Sequence, residues 1–400
     1  MTLFIARAVY AFSWYNIGAV LPLIGTGLRI NTSELGIVIG SFLVGAAIFQ
    51  VPAGLASLRW GNRAVSLAAL AVMGAFALAS GFAPNEYWLA ALRFGVGAGA
   101  AFFFAPALGL VAAYYPPGSR GPIIGLYNSG FSVGAAGGLF AGALIGVAFG
   151  WTWTLAVGGI GLLLIGAFAA AVLPRTSPDP IARTWRELFA AAAPVLSSRP
   201  LWALALAGTG FWGALYIVAQ YFVDFAAHVH PVWSIALAAS LPTVLILVEI
   251  VGGPIGGWIA ERRRDMRIVL LAFAIPAVAL VMAIPFLGLS ELFGVFAFLG
   301  FADGVVFTVL YLLPTLRPEA SGEGFALALG LLNGVQIIAG SALTIAFGFI
   351  AVDVSYTAAW VFTGLVGLAT LPLLVWVRGS KEGVPALAPE RSTTTVPDPP

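Results

Sequence analysis

Twelve apolar stretches, each of about 20 residues or more and so long enough to cross a bilayer, follow one another along these 400 residues. In lipid every backbone N–H and C=O must be satisfied within the protein, which leaves helices and closed barrels as the only spanning structures. These runs lack the period-two alternation of barrel strands, so they read as helices. Composition agrees: 61% of residues are hydrophobic and 8% charged, where a soluble domain carries roughly 25% charge. With no cysteine, disulfide frameworks and thiolate metal sites are excluded.

The spans read as Leu3–Leu28, Glu34–Ser57, Ala64–Ala83, Trp88–Tyr115, Pro122–Gly150 and Trp151–Leu173, then Leu201–Ala227, Val232–Ile259, Ile268–Gly288, Leu292–Pro314, Gly324–Ala351 and Ser355–Val377. The first is long and lacks a small-residue cleavage site, so it reads as a retained helix rather than a signal peptide. Basic residues fall almost wholly in alternate loops. Arg59, Arg63, Arg120, Arg175, Arg183, Arg186, Arg199, Arg262, Arg263, Arg264, Arg267 and Arg317 share one side with Arg378, Lys381 and Arg391 of the tail, against Arg29 alone on the other. By the positive-inside rule both termini are cytoplasmic and the chain is a multi-pass protein of the cell membrane. Residues 1–174 form one six-helix bundle, 175–200 a cytoplasmic linker with a short helix at Trp185–Ala193, 201–381 a second bundle, and 382–400 a tail whose Pro, Thr and Ser content reads as disordered.

The halves echo each other. Gly54–Arg63 after the second span has a counterpart in Gly256–Arg264 after the eighth, and Gly125-Leu126-Tyr127-Asn128 returns as Gly330-Leu331-Leu332-Asn333. Duplicated six-helix units with a solute site between them are an architecture of alternating-access carriers. With the signature Arg93-Phe94-Gly95-Val96-Gly97-Ala98-Gly99 in the fourth span and Gly257-Trp258-Ile259-Ala260-Glu261-Arg262 in the second half, the chain resembles the major facilitator superfamily over nearly its whole length. That resemblance implies an all-α fold of two pseudo-symmetric six-helix bundles. It also implies a gating loop, here Arg59, Gly61, Arg63, Glu261 and Arg262. The family's loop has an acid at the fifth position counted from its first glycine; Glu261 fills that place, whereas Leu58 departs from the pattern in the first half.

Charged groups inside lipid cost about 3 kcal/mol or more each, so those that persist face a cavity or a partner. Arg93, roughly 8 Å inside the fourth span at 1.5 Å per residue, reads either as an anion-binding cation or as a structural arginine bonded to backbone in its own bundle. Asp303, mid-span and without a charged neighbour in sequence, reads as a proton-coupling acid, with Glu249 as a second proton site or a structural partner of a loop arginine. Asp224 reads as solvated near the outer membrane edge, and Arg7 as snorkelling to the inner surface. The resemblance makes the first and seventh spans line the cavity, with Tyr10, Trp14, Asn16, Trp212, Tyr216 and Gln220 as candidate substrate contacts beside the pseudo-equivalent pair Asn128 and Asn333.

Gly130, Gly134 and Gly138, like Gly36 and Gly40, form ridges for close helix approach. Gly130-Phe131-Ser132-Val133-Gly134 matches a serine-hydrolase elbow, but that motif works only at a strand-to-helix turn with a base at hand, and the two histidines, His228 and His230, lie in an outer loop. They are also too few for a metal site. The chain therefore reads as a non-enzymatic, monomeric carrier without cofactor or nucleic-acid partner. It moves a small organic solute, preferably an organic anion with protons. Proton-coupled efflux of amphipathic drugs is the alternative, although Gly134-Ala135 stands where the family's antiporters show Gly-Pro; a receptor or scaffold role and an intramembrane hydrolase are remote.

Overall fold

In the computed structural model, residues 1–114, 117–174, 185–262, 265–318 and 323–377 are described. Most of the linker (175–184), the tail (382–400), Arg263, Arg264, Arg378 and Lys381 lie outside them. Among the described residues there is no strand, and twelve helical stretches are long and apolar enough to cross a membrane. The first half comprises α1 (Thr2–Tyr15), α2 (Leu21–Leu28), α3 (Thr32–Trp60), α4 (Asn62–Ser80), α5 (Glu86–Tyr114), α6 (Pro117–Phe149) and α7 (Trp151–Val172). Helix α8 (Trp185–Leu196) precedes the second half, which comprises α9 (Arg199–Val229), α10 (Ile235–Arg262), α11 (Met266–Ala283), α12 (Leu289–Leu312), α13 (Glu323–Asp353) and α14 (Tyr356–Thr370). One buried cluster runs through both halves.

The helix ends follow local chemistry. Asn31 opens α3 with a capping box, its side chain accepting from the Ser33 and Glu34 amides while Glu34 accepts from the Asn31 amide at 2.7 Å. Gly61 and Gly150 take φ of 77° and 87°, a conformation open to glycine, and there the chain turns sharply from α3 into α4 and from α6 into α7.

The first span is not one helix, as its apolar run suggests; it breaks between Tyr15 and Leu21 around a short 3-10 turn, Gly18–Val20. Pro22 has no N–H to offer Gly18 and its ring crowds that carbonyl. A break inside lipid frees backbone carbonyls, and other helices satisfy them. Arg93 of α5 donates from Nη1 to the Ser13 carbonyl (3.3 Å) and from Nη2 to the Trp14 carbonyl (3.4 Å), with its guanidinium carbon 4.9 Å from the Phe42 ring centroid. Asn16 ties the same break to α7 through the Thr154 carbonyl at 2.8 Å. Arg93 is 1% exposed, with Nη1 and Nη2 turned onto backbone of its own half, Nε without a partner, and Tyr216 of the other half within electrostatic reach.

Helix crossings are set by glycine against carbonyl. A Cβ on Gly97 would strike the Phe42 carbonyl, and one on Gly300 the Leu245 carbonyl. The second pair is the first displaced by 203 residues, so the duplication visible in sequence extends to the α3–α5 and α10–α12 crossings. Gly130, Gly134 and Gly138 of α6 sit on the carbonyls of Phe4, Ala8 and Phe12, turn by turn along α1. Gly36 and Gly40 meet α13 across the seam between halves, against Gly348 and Ile345.

Two outcomes follow for thermal unfolding in detergent. Gly134→Val forces α1 and α6 apart and lowers stability by about 1–3 kcal/mol, whereas Gly125→Ala, whose added carbon meets nothing, keeps it or raises it by up to about 1 kcal/mol. Arg93→Met strands the Ser13 and Trp14 carbonyls at about 1–3 kcal/mol each, and Arg93→Lys recovers part of the loss; equal stability of all three Arg93 forms contradicts the clamp.

Candidate functional site

Arg7 and Trp14, seven residues apart, share a face of α1 with Tyr10 between them. Contrary to snorkelling, Arg7 is buried at 6% exposure. Its guanidinium carbon lies 4.8 Å from the centroid of Tyr10, 4.8 Å from Phe104, 5.6 Å from Tyr127 and 4.6 Å from Phe131. The reason is the neighbouring helices: α5 and α6 cover this face of α1 with rings, and a guanidinium stacks on ring faces where an aliphatic stem has no route to water. Nε and Nη1 are buried without a hydrogen-bond partner. Orphaned buried donors on a guanidinium are costly, so an acceptor that reached them would be held strongly.

From that cage an aromatic path crosses to the second half. Phe131 also packs on Trp14 and Tyr15, centroids at 5.9 and 5.8 Å with rings nearly perpendicular. Trp14 Nε1 donates to the Tyr216 hydroxyl at 3.4 Å, Tyr15 meets the Tyr216 ring edge-on at 6.1 Å, and Tyr216 stacks on Trp212 at 5.2 Å and 9°. Tyr10, Trp14, Trp212 and Tyr216 are thus brought together. Sequence reasoning missed Phe104, Tyr127, Phe131 and Tyr15; the spacing of Tyr127 and Phe131, one helical turn apart, was the available signal.

At the far end of the path stand two carboxylates. Gly304 of α12 rests on the Glu249 carbonyl of α10, and Gly252 on the Phe301 carbonyl, so this crossing carries Glu249 and Asp303 close together. Both are half-buried. Each lies within electrostatic reach of the other and of the Tyr15 hydroxyl. Among the described residues neither has a hydrogen-bond or ion-pair partner, so Glu249 is not a structural partner of a loop arginine there.

Other candidates fall elsewhere. Asn16 serves the α1 break. Gln220 is fully buried against Gly18 with both amide atoms unpartnered. Asn128 is exposed on α6, while Asn333 accepts from the Tyr311 hydroxyl at 3.4 Å, so this pair shares no common environment. Asp224, rather than being solvated, is 0% exposed: α9 continues to Val229 and holds it inside, where its Oδ2 accepts from Thr32 Oγ1 at 3.0 Å and from the Tyr356 hydroxyl at 2.7 Å. Gly130–Gly134, the hydrolase-like run, is an interior stretch of α6 packed on α1.

The loop residues cap helices. Arg63 donates to the carbonyls of Ala170 (2.7 Å) and Leu173 (3.3 Å), closing the end of α7. Arg267, not the Arg262–Arg264 run, is its counterpart, donating to the Val377 carbonyl at 2.9 Å; donor and acceptor are both displaced by 204 residues. Arg267 also pairs with Asp265 at 2.6 Å, which holds that carboxyl below the usual carboxylate range. Arg262 lies 3.8 Å over the Trp258 ring and Arg59 beside Trp60. The side chain of Glu261 is outside the described residues. Among the described residues no group of three or more metal-type ligands occurs.

Comparison with known proteins fits this arrangement. Residues 3–340 match the family model of the Major Facilitator Superfamily. The chain is 31% identical over 160 residues to the 4-hydroxybenzoate transporter PcaK of Pseudomonas putida, covering 40% of this chain and 36% of that protein. It is also 31% identical over 156 residues to the hexuronate transporter of Bacillus subtilis (strain 168), covering 37% and 35%. The alignments thus span about a third of these curated relatives. In fold, it superposes on a bacterial homolog of the human lysosomal transporter Spinster, in an inward-facing and occupied conformation, with TM-score 0.71, 19% identity and 94% coverage of both chains. With twelve spanning helices, duplicated crossings and a matching family model over most of its length, this chain belongs to the Major Facilitator Superfamily.

Proposed function

We propose that this protein is a secondary carrier that moves a small organic carboxylate, in particular an aromatic acid, together with protons across the cell membrane by alternating access. It works as a monomer, with the arginine-rich face and both termini in the cytoplasm. The observation that carries the reading is Arg7: a permanent cation, ringed by four aromatic side chains, with two buried donors unpartnered. A carboxylate satisfies those donors with charge-assisted hydrogen bonds, and a ring attached to it finds Tyr10, Phe131 and Trp14 for edge and face contacts.

We give Arg7 the anion-binding role that sequence reasoning gave to Arg93, since Arg93 spends Nη1 and Nη2 on the α1 break and, among the described residues, has no aromatic cage around it. Glu249 and Asp303, unpaired and close enough to repel each other when both are ionised, supply the proton site. They face the solute along the same aromatic path, so arrival of an anion and arrival of a proton each relieve the electrostatic strain of the other. Relatives named for 4-hydroxybenzoate and hexuronate share the carboxylate with this reading. Lipophilic cations, the cargo of the drug-efflux alternative, are repelled by a desolvated guanidinium.

Purified protein in liposomes, given labelled 4-hydroxybenzoate as probe under an inward proton gradient, accumulates it. Arg7→Gln loses about 2 kcal/mol or more of binding, a KM rise of about thirtyfold or more, and Arg7→Lys lies between; uptake indifferent to Arg7→Gln removes the anion site. Asp303→Asn keeps exchange of labelled for unlabelled solute at equilibrium and no longer accumulates solute against its gradient. Gradient-driven accumulation surviving in both Asp303→Asn and Glu249→Gln removes the proton assignment.

A further inference from the structure

The arginine-poor face is fastened by a polar cluster that the solute path does not use. Thr32, the first residue of α3, reaches across the seam. Its hydroxyl donates to Asp224 Oδ2 at 3.0 Å and lies 2.8 Å from the Tyr356 hydroxyl, which also reaches Oδ2, at 2.7 Å. His228, one turn beyond Asp224, places Nδ1 2.8 Å from the Asp224 carbonyl and 3.0 Å from the Tyr356 hydroxyl. Asp224 Oδ1 is different. It is buried with no hydrogen-bond partner, and His228 Nδ1, the cation in its ion pair when protonated, stands 3.7 Å away.

Asp224 also lines a cavity of about 350 Å³, together with Thr26, Arg29, Asn31, Thr32 and His228. Thr26, Arg29 and Asn31 are exposed, so the cavity communicates with the aqueous side. If the halves separate at this face, the Thr32 contacts break and water returns to the carboxylate. Closure strips that water and gives Oδ1 no donor in exchange, which is costly for an ionised oxygen and far less so for a protonated one. Coupling of this kind is reciprocal: what makes closure easier is itself held more tightly by the closed form.

We propose that Asp224 is a proton-binding site of the arginine-poor face, separate from Glu249 and Asp303, and that a proton there fastens this face of the carrier shut. The titratable groups facing it are His228 and Tyr221 on its own helix, Tyr356 on α14, and Arg29 across the cavity. From α3 come Thr32 and Glu34, the latter turned to the Asn31 amide, and from α13 the Thr344 carbonyl and Phe347, both against Tyr221. The inference rests on the carrier reading but on no particular solute.

Its test needs no substrate, so its failure is distinct from failure of the flux experiments. The chain has no cysteine, and Tyr87 and Val232, 77% and 89% exposed at this face in opposite halves, accept a spin-label pair as Tyr87→Cys and Val232→Cys. Electron–electron resonance distances in lipid nanodiscs are then compared at pH 8 and pH 5.5. Acidification raises the ratio of short to long distances about fivefold or more; Asp224→Asn shows the short distance at both pH values, and His228→Gln keeps the response. Thr32→Val, which removes the crossing hydroxyl and keeps the carboxylate, shifts both populations toward the long distance. The proposal fails if the parent pair shows no pH response, if the response survives in Asp224→Asn or disappears in His228→Gln, or if Thr32→Val matches the parent.

Discussion

Backbone carbonyls left without partners in lipid constrain this molecule more than any side-chain preference does. The α1 break is where the constraint bites. Proline at 22 removes a donor, the chain turns through Gly18–Val20, and the carbonyls of Ser13 and Trp14 take Arg93 from α5 instead. Everything around the candidate site inherits its position from that repair. Tyr10, Trp14 and Tyr15 are aimed by the last turns of α1, and the guanidinium that secures those turns also packs on Phe42, whose carbonyl receives Gly97 at the α3–α5 crossing.

The same constraint explains why glycine rather than a large apolar residue sets the packing. Lipid tails are as apolar as leucine, so helices gain little by hiding leucine from them and associate instead through close backbone approach. Gly97 on Phe42 and Gly300 on Leu245 repeat one crossing in both halves, and the second crossing carries Glu249 and Asp303 together. The Arg63 and Arg267 caps repeat in the same way. What duplication preserved is backbone geometry and helix-end capping; what it let diverge is the chemistry at the seam, with a cationic cage in one half and a carboxylate pair in the other.

Spans and duplication were legible because each is written over many residues: a run of apolar side chains, a motif that returns. The site was legible only in part. Tyr10, Trp14, Trp212, Tyr216, Glu249 and Asp303 stood out by residue type and depth, and the structure gathers them along one path. The surroundings of Arg7 and Arg93 were not legible, because depth along a helix says nothing of which neighbour lies across from it. Arg93 meets a helix break, visible only once α1 is known to be broken; Arg7 meets four rings, three of them contributed by α5 and α6. Asp224 was misplaced for the same reason, since the residues that cover it, Thr32 of α3 and Tyr356 of α14, come from distant parts of the chain.

Contacts within each half differ in kind from contacts across the seam. Inside a half, carbonyls are held by guanidinium groups and by glycine crossings that leave no room for adjustment. Across it run single hydrogen bonds, Trp14 to Tyr216 at 3.4 Å and Thr32 to Asp224 at 3.0 Å, ring edges such as Tyr15 on Tyr216, and the glycine face of α3 against α13. A neutral bond such as Trp14 to Tyr216 contributes about 1 kcal/mol net and one to an ionised carboxylate about 1.5–3 kcal/mol, and each is replaceable by water once the seam opens. The faces that meet there, α3 on α13 and α6 on α10, are broad, and apart from these bonds they are held by side-chain and glycine packing, so that a sliding or rocking of one half on the other breaks few polar links. The ionisable groups divide in the same spirit: Arg63 and Arg267 are spent on helix ends within their halves and Arg93 gives Nη1 and Nη2 to the α1 break while its Nε stays unpartnered. Arg7 and Asp224 likewise keep buried polar atoms without partners, and in the proposed carrier these, with Glu249 and Asp303, are the groups a solute or a proton would satisfy.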